Sequence, residues 1–161
     1  MLFVYYTKQM LNYFKKILSI FLIFNLTFVS SAQAAGTFVD SFDVSTQDTQ
    51  PRGIAFNNDG TKMFVVGDQG NDINSYTLLT GFDLSTATFN DINGDGSGFD
   101  ISGQETTPQY IKFNNDGTKM FVIDNTGADI NVYTLSTGFD LSTATFNDIN
   151  GDGTGFDGSA Q

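Results

Sequence analysis

Two identical hexapeptides carry the densest chemistry in this chain: Asp91-Ile92-Asn93-Gly94-Asp95-Gly96 and Asp148-Ile149-Asn150-Gly151-Asp152-Gly153. Oxygen-bearing side chains at alternate positions of a tight loop can surround one hard cation, and glycine at the sixth position permits the sharp turn. The spacing therefore predicts calcium, with Asp91, Asn93 and Asp95 as ligands in the first loop and Asp148, Asn150 and Asp152 in the second. The ninth position is Phe99 or Phe156, which cannot ligate through its side chain, and the twelfth is Ser102 or Ser159. Asp100 and Asp157, at the tenth, are the candidates to close each site. The alternative is a polar, glycine-rich turn that needs no metal.

Other chemistry is narrowed by what is missing. The chain has 161 residues and no Cys or His, so disulfides, thiolate metal sites, a Cys nucleophile and the usual general base are excluded. Its formal net charge is −11, and all 18 acidic residues follow position 39. Such a surface repels phosphate backbones and anionic lipid heads, so nucleic acid and acidic membranes are not expected partners. Phe-Asp-x-Ser recurs from Phe42, Phe82, Phe99, Phe139 and Phe156. Its Asp and Ser are read as backbone-capping turn residues, with the Phe in the core, because an Asp–Ser pair without a base makes a poor nucleophile.

These residues sit in a tandem repeat. Residues 42–98 and 99–155 align at an offset of 57 and differ at 15 positions, and Thr80 to Gly96 recurs unchanged as Thr137 to Gly153. A third copy begins at Phe156. A period this long predicts one supersecondary unit per copy in a stacked array. Within a copy the apolar pattern predicts four short strands: 53–56, 62–66, 73–78 and about 85–92, matched in the second copy. Asn57-Asn58-Asp59-Gly60 reads as the hairpin turn between the first two, since Asn, Asp and Gly tolerate the required φ values. The Met63-Phe64-Val65-Val66 run predicts a strand buried on both faces. Residues 67–71, which differ from 124–128, are the candidate specificity loop. Arg52 stands where the second copy has Gln109, and the sequence leaves open whether it lines a channel or a rim.

The segment Pro51-x-Gly53-Ile54-Ala55-Phe56-x-x-Asp59-Gly60-Thr61-Lys62-Met63-Phe64-Val65, with its second copy from Pro108, resembles the repeat of bacterial YVTN-type and WD-like β-propellers. The hexapeptide loops likewise resemble the first half of the calcium loops of EF-hands, dockerins and integrin propellers. The propeller resemblance implies an all-β fold of four-stranded antiparallel blades: two blades plus partial units. Residues 37–40 resemble the end of a fourth strand, so the body is expected to begin on an outer strand. A chain of two blades reads as a fragment of a longer array, with ring closure by homo-oligomerisation as the alternative, and the exposed flank predicts self-association.

The N-terminus reads as an export signal. Lys15 and Lys16 precede an apolar run from 17 to 29, and Ala32-x-Ala34 has signal-peptidase spacing. At about 13 residues the run is short of the ~20 that span a bilayer. Residues 1–34 are thus the expected helical signal peptide, with Met10 an alternative start, and 35–161 the expected incomplete propeller domain, secreted, periplasmic or at the cell surface. The function expected is a non-enzymatic binding or scaffold protein, calcium-stabilised, with a protein or carbohydrate ligand. Alternatives are a fragment of a gluconolactonase-like propeller hydrolase, against which stands the presence of a single Glu, Glu105, and a structural adhesin or matrix repeat protein.

Overall fold

The computed structural model describes residues 7, 9–16, 36–125, 129–149, 151, 153 and 155–157. The chain divides into two units, Met1–Phe38 and Val39–Gln161. In the first, residues 9–16 are helical and exposed, while the apolar run and the cleavage junction expected at Ala34 lie outside the described residues. Among the described residues no helix is long and apolar enough to cross a membrane.

The second unit is mostly β, in two antiparallel sheets built from successive repeats. The first holds β1 (Pro51–Phe56), β2 (Lys62–Gly67), β3 (Asp72–Leu78), β4 (Ala87–Phe89) and β5 (Phe99–Asp100). The second holds β6 (Pro108–Phe113), β7 (Lys119–Asp124), β8 (Asp129–Leu135), β9 (Ala144–Phe146) and β10 (Phe156–Asp157). Strands β1, β2 and β3 form a meander, as do β6, β7 and β8. The Asn57–Gly60 turn forms as its chemistry requires. The Gly60 amide donates to Asn57 O at 3.1 Å, the Asn57 amide to Lys62 O at 3.1 Å, and Asp59 accepts from the Thr61 amide and hydroxyl.

The fourth strand departs from expectation. Instead of one strand over 85–92, the outer edge of β3 is paired in two pieces. Tyr76, Thr77 and Leu78 pair with Phe89, Thr88 and Ala87 of β4, whereas Asp72 and Ile73 pair with Asp100 and Phe99 of β5. Leu84–Thr86 is a 3-10 turn, because the Asp83 carboxylate accepts from the Ser85 amide and hydroxyl and the Thr86 hydroxyl donates to Asp83 O. The glycine-rich hexapeptide then bulges out between β4 and β5. Phe99 and Asp100, which open the second sequence copy, therefore complete the first sheet, and Phe156 and Asp157 complete the second through Ile130 and Asp129. The start of the third copy is thus an edge of the second sheet. Residues 36–44 carry no regular secondary structure, so the outer strand expected at 37–40 does not form.

The two sheets share one apolar core. Phe64, Val66 and Ile73 of the first pack with Ile111, Met120 and Val122 of the second. At its centre the Phe64 ring lies 4.5 Å from Phe113 and 6.5 Å from Phe139, themselves 5.3 Å apart. Two polar contacts accompany the rings: Asn58 Nδ2 donates to Asn115 O at 2.6 Å and Lys62 Nζ to Phe139 O at 2.8 Å. Strands β1 and β6 approach so closely that a Cβ on Gly53 would lie 2.7 Å from Gln109 O.

The turn glycine in each repeat is fixed twice over. Gly117 has φ +72°, and a Cβ there would fall 2.2 Å from the Phe139 ring, which covers the turn while its own amide donates to Gly117 O at 3.0 Å. Gly117→Ala should cost about 2–3 kcal/mol, from left-handed strain plus displacement of that ring. The check is the urea midpoint at unchanged slope.

Candidate functional site

Asp91 anchors the first hexapeptide loop. Its two carboxylate oxygens accept from the Gly94 amide at 2.6 Å and the Gly96 amide at 3.0 Å, and Asp148 does the same for Gly151 and Gly153. Asp95 accepts from the Ser97 amide and hydroxyl, Asn93 Nδ2 donates to Gly98 O, and Asp100 accepts from the Ser102 amide. Each of these four side chains therefore has a bond to the loop's own backbone or immediate neighbours. Among the described residues, no three acidic side chains converge as a metal-holding group. Asn150 and Asp152 lie outside the described residues, as does the side chain of Asp157. Asp91→Ala should lower Tm by a few degrees in chelator as well as in calcium, because both amide anchors go. Scanning calorimetry in the two buffers checks this.

A different region gathers the differences between repeats. Twelve of the 15 divergent positions fall within 44–55 and 66–71. These segments meet at one end of the sheet, where Pro51 pairs with Gly67 and the Asp68 amide donates to Gln50 O. Arg52 points at this end and is not free. Its Nε and Nη2 donate to Asp68 Oδ2 at 2.9 and 2.6 Å. Gln109, its counterpart in the next repeat, reaches Asp68 Oδ1 at 3.5 Å. The candidate specificity loop is thus tied to both repeats through Asp68, and Thr49 hydrogen-bonds Gln69 on the same loop.

Beneath this end each repeat buries acids and an asparagine that sequence reasoning missed. Asp48, Asp72 and Asn74 are buried in the first sheet, Glu105 and Asn131 in the second. Asp72 accepts from Asn74 Nδ2 and from the Gly98 amide, both at 2.9 Å, so a buried carboxylate ties down the far end of the inserted loop. Asn131 Nδ2 donates to Glu105 Oε1 at 2.6 Å. Acceptors outnumber donors here: Asp48 Oδ2, Asn74 Oδ1 and Asn131 Oδ1 are buried without a hydrogen-bond donor. Burial, outweighing the Asn131 amide, together with Asp124 and Asp129, pushes Glu105 up to about 7. Burial likewise raises Asp72, against the bonds from Gly98 and Asn74. A signal was present: Asn74 and Asn131 recur at one position of β3 and β8, between apolar Ile73 and Tyr76 or Ile130 and Tyr133, and position 48/105 stays acidic amid changing neighbours.

Chemically, this end can hold a polar ligand through Arg52, Asp68 and Gln109. The chain's only glutamate is 1% exposed, which keeps it from a substrate. Comparison with known protein families, with curated proteins and with solved structures finds no match for the chain.

The raised Glu105 carboxyl makes stability pH-dependent in a defined direction. The folded chain holds this proton more tightly than the unfolded chain. Its contribution is therefore whole below the ordinary value of 4.5 and is lost as pH rises through about 7. Urea midpoints should fall between pH 5 and pH 8 in the native protein and much less in Glu105→Gln, which keeps the oxygen facing Asn131 without an ionisable proton. Equal slopes in both proteins refute the assignment.

Proposed function

We propose that the chain is an exported, non-enzymatic binding or scaffold protein whose two sheets are β-propeller blades, with ligand contacts at the end where 44–55 meets 66–71. The concentration of repeat divergence at that end carries this reading. A scaffold can reuse one blade unchanged wherever it only has to fold, and varies it where it has to recognise. The juxtaposition of equivalent inner strands β1 and β6 supports the blade reading, and the apolar run from 17 to 29, followed by Ala32-x-Ala34, supports export. The acidic body, with Arg52 paired to Asp68, fits a neutral or cationic polyhydroxylated partner such as a polysaccharide, and disfavours a polyanion. Calcium belongs to this proposal only at the hexapeptide loops, where the exposed Asp91 and Asp95 carboxylates would hold it.

The test is retention on immobilised neutral, cationic and anionic polysaccharides. Retention on the first two, weakened about tenfold (~1.4 kcal/mol) by Arg52→Ala or Gln109→Ala and unaffected by the remote Thr88→Ala, is expected. Retention indifferent to the variable end, or lactone hydrolysis by the purified protein, would displace this reading in favour of the adhesin or the hydrolase.

A further inference from the structure

The two repeats give the same residues two different environments. Val66 and Ile73 are fully buried by the second sheet, yet their counterparts Ile123 and Ile130 are 40% and 36% exposed. Conversely, Ile111 is 7% exposed against the first sheet, while its counterpart Ile54 is 55% exposed. Phe82 is 60% exposed, whereas Phe139 is partly buried beside Phe64. The unit thus ends in two unlike apolar faces. One is an open groove of about 270 Å³ lined by Phe42, Val44, Ile54, Met63, Val65 and Leu84. The other presents Phe121, Ile123 and Ile130.

We infer that the groove at Ile54 and Phe82 of one chain receives the Phe121–Ile123–Ile130 face of a second copy, head to tail. The internal interface is the template. It is made by Phe64 seated on the Phe113–Phe139 pair, and the Phe56–Phe82 pair already stands at 5.4 Å, close to the 5.3 Å of its counterpart. The ring to complete it is Phe121, the exact counterpart of Phe64. Lys119 and Asn115 correspond to Lys62 and Asn58, so donors to Phe82 O and Asn58 O come with it. The aromatic, lysine and asparagine side chains of the internal contact recur unchanged on the two free faces, Ile123 replaces Val66, and Tyr110 stands where Gly53 lets β1 approach β6, so the two copies must meet with a wider spacing at that end. Such an interface is heterologous, with different patches on the two partners. Both copies are strongly acidic, so apolar docking strengthens as salt screens their repulsion. The inference needs only the repeat and its packing. Arg52, one of the proposed ligand contacts, also lines the groove, so the inference is tested by the state of assembly and not by ligand retention.

The experiment is sedimentation velocity and light scattering on the full chain from low micromolar to submillimolar concentration, at low and high salt. Species above monomer should grow with concentration and with salt. Ile54→Asp, which spoils the groove, and Ile123→Asp, which spoils the opposite face, should each be monomeric. Both residues are exposed in the single chain, so circular dichroism and Tm should match the native protein. An equimolar mixture of the two variants retains one intact groove and one intact face, and should form a 1:1 dimer and nothing larger. A native chain that stays monomeric throughout, as it would if the faces await other repeats or another partner, overturns the inference. So do variants that still assemble, or a mixture that stays monomeric. If either aspartate variant fails to fold, the Ile54→Lys and Ile123→Lys pair repeats the mixing test with the same outcomes decisive.

Discussion

The fold depends on one aromatic contact, Phe64 set on Phe113 and Phe139. A small meander sheet has two flat faces and little capacity to cover either with its own side chains. Burial of apolar area is worth roughly 25 cal/mol per Å², so a sheet gains its stability where a neighbour covers it. The repeat solves this by letting each sheet cover the next. Phe64, Val66 and Ile73 form a ridge, and the next repeat supplies Ile111, Met120 and Val122 beneath it. Stability in such an array is a sum of unit terms and neighbour terms.

The same constraint explains why the polar features lie where they do. The face-to-face core occupies the middle of each sheet. The hexapeptide insert can bulge from the outer edge because β3 needs its edge covered only at each end, by β4 and by β5. Asp72 holds the insert in place from inside, through Gly98. The buried acids and asparagines gather at the other margin of the core, under the divergent end. There the strands begin and the backbone is irregular, with a register shift between Pro51 and Gly53 and again between Pro108 and Tyr110. Polar groups enter the interior where the regular ladder gives out, and the shortage of donors among them appears as a raised Glu105.

Local chemistry was readable where it is self-contained. The hairpin at Asn57–Gly60, the cores of β1 to β3 and the capping role of Asp83 follow from residues that satisfy one another within a few positions. The fourth strand was misread because Thr86, Thr88 and Phe89 alternate well enough for a longer strand, and nothing local reveals that Asp83 captures Ser85 first. A D-x-N-x-D-G spacing does not by itself say that Asp91 also accepts from the Gly94 and Gly96 amides of its own loop. The Glu105–Asn131 pair was invisible to motif reasoning, since the two residues lie 26 positions apart in sequence.

The sequence alone determined the period, the strands that alternate and the turns that reverse them, because these rest on side-chain geometry and φ preference within a few residues. Tertiary structure alone decided which faces are covered. Thr80 to Gly96 and Thr137 to Gly153 are the same seventeen residues, yet Phe82 lies open and Leu84 is only partly buried, while Leu141 is buried and Phe139 is packed. Burial is a property of the neighbour, and only the second of the two segments has the preceding repeat's Phe64 against its phenylalanine.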